Sequence, residues 1–210
     1  VNHYQFRTGS LDLGMFNHAV YNFSRLRNPI FTLGIDGNET PFLATHFSWI
    51  TFFYSPLYYI FGTYTLLIIQ IVVILFGGLG VYKYSRNIFG ESSKLPLIIL
   101  IHFFSIWGIF SALSSDFHNN VIGAMLVPWF IYFLEKRKLG FTLLFFFLIL
   151  GTKEVMAIWM FFIILGMIAK NWTELRSSFF KLEIPLAIFC VIYGGLVILV
   201  IMPSLQGVND

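Results

Sequence analysis

The sequence has few charged residues and almost no cysteine. Only 11% of its residues are charged, against roughly 25% in an average soluble domain, and 58% are hydrophobic. Cys190 stands alone inside an apolar run, so neither a disulfide framework nor a thiol-based metal site is predicted. These shortages exclude a soluble enzyme and predict an integral membrane protein.

The charge balance and the aromatic content also favour an integral membrane protein. The formal net charge is only +3, and the basic residues are dispersed over short turns rather than gathered in a patch. Nucleic acid is therefore not expected as a partner. Phe, Tyr and Trp make up 20% of the chain, a share that suits contact with lipid and aromatic belts at the membrane surface.

Apolar runs predict the membrane spans, each of which needs about 20 residues as a helix. The runs cover residues 63–82, 95–113, 121–134, 141–169 and 184–202. The run 141–169 is interrupted by the polar stretch "LGTKEVM". A continuous helix would place its Lys153 and Glu154 near the bilayer centre, at a cost of about 2.5 to 3.5 kcal/mol each. A helical hairpin would place both residues at one membrane face.

The distribution of basic residues favours the hairpin. Short cytoplasmic loops carry an excess of Lys and Arg, and the hairpin places nine of the 13 basic residues on one side. These nine are Lys83, Arg86, Lys94, Lys136, Arg137, Lys138, Lys170, Arg176 and Lys181. The hairpin predicts about six spans, with the turns 83–94, 135–138 and 170–183 in the cytoplasm and the "GTKE" stretch near the outer surface.

The first 62 residues form a more polar segment, which we predict to be an extracytoplasmic loop with amphipathic interfacial helices. In "GSLDLGMFNHAVYNF" either Ser10 or Asp12 can begin a helix, and Phe16, Val20 and Phe23 form its apolar stripe. The aromatic stretch "HFSWITFFYSPLYYIFG" follows. Residues 63–210 form the transmembrane bundle, and the chain is expected to be a fragment of a longer protein.

Four stretches of the sequence carry a resemblance to a known family. "LDLGMFNHAVYN", "THFSWITFFYSPLYYIF", "SSDFHNNVIG" and "GTKEVMA" resemble, in order and spacing, landmarks of a bacterial membrane family, the domain-of-unknown-function family 2079. That family is similar in architecture to GT-C glycosyltransferases. The resemblance implies an all-α, polytopic transmembrane helical bundle in the bacterial inner membrane, with its active face outside the cytoplasm.

The resemblance also implies a function and a site. GT-C enzymes transfer a sugar from a polyprenyl-phosphate carrier in the membrane to an extracytoplasmic acceptor, which is unknown in this case. Asp12 matches the position of their catalytic base. Lys153, Arg7 and His46 are candidates for binding the donor phosphate.

A divalent metal ion is a further candidate cofactor. Its ligands would be Asp116, His118 and Glu154, with His46 as another candidate. The family pattern weighs against a metal at two places. Asn119 and Asn120 follow His118 where a Pro-Glu-like pair is commoner, and Val155 stands where a second acid is expected.

Simpler explanations stay open for these residues. Asp12 is also a preferred N-cap residue, and Asp116 and His118 are also ordinary loop residues before a helix. A transporter would explain charges near the membrane as a substrate path, and a membrane assembly protein would need no convergent polar site. A scaffold predicts that Asp12, Asp116, His118 and Lys153 are scattered, whereas an enzyme predicts that they line one cavity.

Overall fold

The computed structural model of the protein describes residues 3–4, 11–31, 39–114, 117–171 and 180–206. This part of the chain is all-α apart from a two-residue antiparallel pairing of β1 (Ile30–Phe31) with β2 (Thr40–Pro41). The short helices of the first segment are α1 (Leu11–Ser24), α2 (Phe42–Thr45), α3 (Ile50–Tyr54) and α4 (Tyr58–Phe61). The helices of the bundle are α5 (Thr65–Phe89), α6 (Leu95–Ser105), α7 (Trp107–Ser114), α8 (Asn119–Glu135), α9 (Leu139–Leu150), α10 (Met156–Lys170), α11 (Phe180–Leu196) and α12 (Met202–Gln206).

Two helical stretches of the described chain are long and apolar enough to cross a membrane, Ile50–Phe89 and Leu182–Gln206. The pair α6 and α7 makes a third if it counts as one span, although it bends by 45° between the two helices. The helices α9 and α10 are apolar but shorter. The protein is thus a membrane protein whose described residues include two or three long spans. A total of six spans stays a prediction that depends on the shorter helices.

Close packing of α5 against α8 forms the centre of the bundle. A Cβ atom on Gly77 of α5 would lie only 2.9 Å from the Cβ atom of Met125 in α8. One turn further along α8, the indole N–H of Trp129 donates a hydrogen bond to the carbonyl of Phe76, the residue before Gly77, at 2.8 Å. Small residues allow membrane helices to approach closely, and van der Waals contact then stabilises the pair. The larger core cluster continues from this contact into α9, α10 and α11.

Hydrogen bonds at the helix ends define what we call the basic end of the bundle. Lys170, the last residue of α10, donates to the carboxylate of Glu135, the last residue of α8. It also donates to the hydroxyl of Tyr84 in α5 at 3.0 Å. Arg137, after α8, lies 3.3 Å from Glu183 near the start of α11. The ends of α5, α8 and α10 and the start of α11 therefore share the basic end.

The polar stretch between α9 and α10 lies at the opposite end. The helix α9 ends at Leu150 and α10 begins at Met156, with turns over most of 151–155. The helix α9 starts directly after the basic end, at Leu139, so it runs opposite to α8 and α10. This arrangement is the hairpin that the charge distribution favours, and it moves Lys153 and Glu154 away from the middle of the bundle.

Candidate functional site

The first turn of α1 presents Asp12 beside the bundle. The apolar stripe predicted for this helix is buried at Phe16 and Val20, which pack into the main core cluster, while Phe23 is half-buried. Asp12 is the acidic residue of the first turn, where the partial positive charge of a helix N-terminus favours a carboxylate. Its side chain is half-exposed at 43%. The core packing of α1 fixes where this carboxylate lies.

The loop before α8 brings His118 to Asp12. The Nδ1 atom of His118 lies 3.6 Å from Oδ2 of Asp12, which is longer than an ordinary hydrogen bond. The backbone N–H of His118 donates to the side-chain oxygen of Gln70 at 3.1 Å. The amide nitrogen of Gln70 donates in turn to the carbonyl of Ala112 at 2.6 Å. A buried amide of α5 therefore holds the polar loop in place.

A buried polar cluster joins the start of α8 to the start of α3. The amide nitrogen of Asn119 donates to the hydroxyl of Ser48 and, at 3.1 Å, to that of Thr51. The two hydroxyls lie 2.9 Å apart, and all three residues are buried. The side-chain oxygen of Asn119 has no hydrogen-bond partner among the described residues. Asn119, which departs from the family pattern, thus has a structural role.

His46 lies between α1 and the polar turn after α9. Its ring stacks on Phe16 with the ring centroids 5.5 Å apart. Burial lowers the pKa of His46 below its usual value, the charge of Lys153 lowers it further, and Glu154 and Asp12 oppose the change. Its Nδ1 atom is buried and has no hydrogen-bond partner among the described residues. His46 is therefore a neutral imidazole near neutral pH, with one buried nitrogen left for a ligand.

Lys153 and Glu154 belong to the turn between α9 and α10. A carboxylate oxygen of Glu154 accepts the backbone N–H of Phe47 at 3.1 Å, which ties the turn to the segment before α3. Both side chains are half-buried. Within the ranges that the structure describes, the ammonium group of Lys153 has neither a hydrogen bond nor an ion pair. Lys153 is thus a cation near His46, and its ammonium group can bind an anion.

Trp49 fixes the position of this turn. The backbone N–H of Ile50 donates to the carbonyl of Gly151 at 3.1 Å. The indole N–H of Trp49 donates to the hydroxyl of Tyr193 at 3.2 Å, and that hydroxyl lies 3.4 Å from the carbonyl of Leu150. A Cβ atom on Gly151 would lie 2.5 Å from the Trp49 ring. Only glycine allows this approach, so the turn is held against α3 and α11.

The structure therefore brings together five of the seven candidate residues. Asp12, His46, His118, Lys153 and Glu154 come from separate segments to the end opposite the basic end. Arg7 and Asp116 lie outside the described residues. Sequence reasoning missed Gln70, whose signal is a lone amide inside an apolar run, and it gave the Ser48–Thr51–Asn119 cluster no role.

The described residues alone do not supply a metal site. No three His, Cys, Asp or Glu side chains among them are grouped closely enough to hold a metal ion. A centre would need a ligand such as Asp116 as well. What the arrangement offers chemically is a half-exposed carboxylate, a neutral imidazole and an ammonium group at one face of the bundle.

Comparison with known proteins gives the family of the chain. The family model described as "Predicted membrane protein (DUF2079)" matches residues 2–210. No curated protein and no solved structure gives a significant match. Since the family model covers nearly the whole of the 210-residue chain, the protein belongs to the DUF2079 family of predicted membrane proteins.

Proposed function

We propose that the protein is a multi-pass enzyme of the cell membrane that transfers a sugar from a polyprenyl-phosphate carrier to an extracytoplasmic acceptor. The observation that carries the proposal is the meeting of Asp12 with His118, His46, Lys153 and Glu154 at the end of the bundle opposite the basic end. A base, a neutral imidazole and a cation in one place are the groups that such a transfer uses.

Asp12 is the proposed general base. In the transfer, the acceptor hydroxyl oxygen forms a bond to the anomeric carbon, and the bond between that carbon and the phosphate oxygen breaks. The bonding electrons leave with the phosphate, and the hydroxyl proton passes to the carboxylate of Asp12. The half-exposed position of Asp12 supports this role, because the base must meet an acceptor that arrives from water.

Lys153 and His46 are the proposed phosphate-binding residues, with Arg7 as a third. The leaving phosphate gains negative charge, which an ammonium group stabilises. Lys153 has no ion-pair partner among the described residues, and the buried Nδ1 atom of His46 has no hydrogen-bond partner there. A buried polar atom left unpaired costs about 1 to 3 kcal/mol, so binding a ligand at this place would recover free energy.

The alternative functions fit the described structure less well. A scaffold predicts scattered polar residues, whereas these residues converge. A transporter predicts access from both sides of the membrane, but fully buried side chains of the core cluster pack between the two ends of the bundle, among them Phe130, Phe146 and Met160. The enzyme is therefore the function that the geometry favours.

A donor assay tests the proposal. The full-length protein is reconstituted in vesicles with polyprenyl-phosphate sugars of several kinds and with a cell-envelope extract that supplies acceptor hydroxyl groups. The released polyprenyl phosphate is measured by mass spectrometry. We expect release with at least one donor, and a loss of roughly 100- to 10,000-fold in Asp12→Asn. The control Glu39→Gln, which changes an exposed acid of the first segment, should keep wild-type activity. Unchanged release in Asp12→Asn would reduce Asp12 to a helix cap.

A further inference from the structure

A second polar site lies at the basic end of the bundle, outside the proposed active site. A cavity of about 390 Å³ opens between the end of α5 and the end of α8. Its wall includes Lys83, Arg86 and Asn87 of α5 and Tyr132 and Lys136 of α8. Its volume falls in the range of small-molecule sites, about 300 to 1,000 Å³. We call it the α5–α8 cavity.

The charge in the α5–α8 cavity is mostly uncompensated. Glu91 is the acidic residue of its wall, against the three cations of Lys83, Arg86 and Lys136. Glu91 lies 3.2 Å from Arg86, but this ion pair is largely exposed, at 42% and 86%, and such pairs contribute little to stability. Among the described residues, Lys83 and Lys136 have no hydrogen bond and no ion pair. The cavity therefore has a net positive charge that favours the binding of an anion.

Two other basic residues at the same end have acidic partners. Lys170 pairs with Glu135, and Arg137 pairs with Glu183. The tendency of cytoplasmic loops to be basic explains the number of cations at this end. It does not explain why unpaired lysines from two helices meet around one cavity with the amide of Asn87 and the hydroxyl of Tyr132.

The surroundings of the cavity indicate where the anion comes from. Leu79, Ile88 and Phe89 of α5 are exposed at 53%, 49% and 45%, which is the exposure expected of side chains that face lipid tails. Basic pockets between membrane helices on the cytoplasmic side bind acidic lipid headgroups. We propose that the α5–α8 cavity binds the phosphate of an anionic phospholipid, with Arg86 as a fork and the two lysines as point charges.

Lipid binding by native mass spectrometry tests this site. The delipidated full-length protein is titrated with phosphatidylglycerol, and the affinity of the wild type is compared with that of Lys83→Gln combined with Lys136→Gln. We expect the double variant to bind at least about tenfold more weakly, since each basic residue near an anionic headgroup contributes about 1 kcal/mol. Lys83→Arg combined with Lys136→Arg should restore most of the affinity. Both positions are exposed, so the melting temperature should stay unchanged.

Two controls define the result. Lys138→Gln removes an exposed lysine that does not line the cavity and should not change the affinity. An equal loss in Lys138→Gln would mean that general surface charge attracts the lipid, and an unchanged affinity in the double variant would overturn the site. Glycerol phosphate should compete only weakly, because it lacks the acyl chains. Strong competition would overturn the lipid assignment in favour of a soluble phosphate ester. The outcome is independent of the proposed glycosyl transfer.

Discussion

The imidazole of His118 lies 3.6 Å from the carboxylate of Asp12, so the start of α8 faces the first turn of α1 across the candidate site. The backbone of His118 is itself fixed, since its N–H group donates a hydrogen bond to the side-chain oxygen of Gln70 in α5. His118 therefore lies beside Asp12 at a position that the bundle itself fixes. Its side chain can be changed without breaking the bond to Gln70.

His118→Gln should lower activity more than stability. The Asp12–His118 contact is half-exposed on both sides, at 43% and 38%, so its loss should change the free energy of unfolding by less than about 1 kcal/mol. A misplaced base should lower kcat by roughly tenfold or more and leave KM for the donor unchanged. Steady-state kinetics and thermal unfolding separate these effects, with Asn120→Gln as the control. A variant with unchanged kcat would show that Asp12 needs no orientation by His118.

Lys153→Met should weaken donor binding and leave the fold intact. A charge-assisted hydrogen bond to phosphate contributes about 1.5 to 3 kcal/mol, so the dissociation constant for polyprenyl phosphate should rise by roughly 10- to 100-fold. Lys153→Arg should keep part of the affinity, and Lys138→Met at the basic end should keep all of it. Calorimetric titration and thermal unfolding measure both quantities.

A structural ion pair would give the opposite result. If Lys153 pairs with an acid such as Asp116, Lys153→Met would leave a buried charge unpaired and lower the free energy of unfolding by roughly 3 to 5 kcal/mol. A destabilised variant whose folded fraction binds polyprenyl phosphate normally would therefore refute phosphate binding.

The lowered pKa of His46 predicts that acid destabilises the protein. Burial and Lys153 keep the folded-state imidazole neutral, against the opposing charges of Glu154 and Asp12, while the imidazole of the unfolded chain is protonated below about pH 6.5. The unfolded state then binds more protons, so stability should fall as the pH drops through this value. His46→Gln should reduce the change in melting temperature between about pH 7.5 and pH 5. An unchanged pH dependence in His46→Gln would contradict this role of His46.

Gly151→Ala should destabilise the turn that carries Lys153. The added methyl group would lie 2.5 Å from the Trp49 ring, and overpacking of this kind costs about 1 to 3 kcal/mol. Gly166→Ala in α10 is the matched control, because a Cβ atom there meets nothing within 4 Å and alanine favours a helix. Chemical or thermal unfolding in detergent should show a loss for the first variant alone. Equal stability of the two would mean that Trp49 moves aside freely.

Cysteine labelling should place the candidate site outside the cytoplasm. In a Cys190→Ala background, Thr45→Cys should react with an impermeant reagent added to intact cells, and Lys138→Cys should react only after lysis. Both positions are exposed, whereas Cys190 is buried. The opposite pattern would reverse the orientation and remove the basis for an extracytoplasmic transferase.

The helices and the convergence of polar residues were predictable to different extents. The run 63–82 predicted a span, and the structure places α5 (Thr65–Phe89) there, within the longer helical stretch Ile50–Phe89. The charged pair inside an apolar run was enough to indicate the break after Leu150, because burying it would be costly. Membership of family 2079 is confirmed, whereas the likeness to GT-C enzymes stays a prediction.

The site also depends on contacts between residues that are distant in the sequence, and local sequence patterns do not predict such contacts. Gln70 and Asn119 act through partners far away in the chain, at His118 and Ser48, and hydrophobic periodicity carries no information about such pairs. The chain bends by 45° between α6 and α7. The residue at the bend is Ile106 rather than a proline, so the sequence did not predict the bend. Asp116 and Arg7 lie outside the described residues, so their roles stay predictions.

The shortness of α9 has a consequence for the membrane itself. With 12 residues it is roughly 18 Å long, well below the roughly 30 Å of hydrocarbon in an ordinary bilayer. Such a mismatch is relieved by local thinning of the lipid or by polar side chains that reach outward. Water and headgroups would then reach down to Lys153 and Glu154, so that a lipid-borne headgroup would meet the site below the mean level of the outer surface.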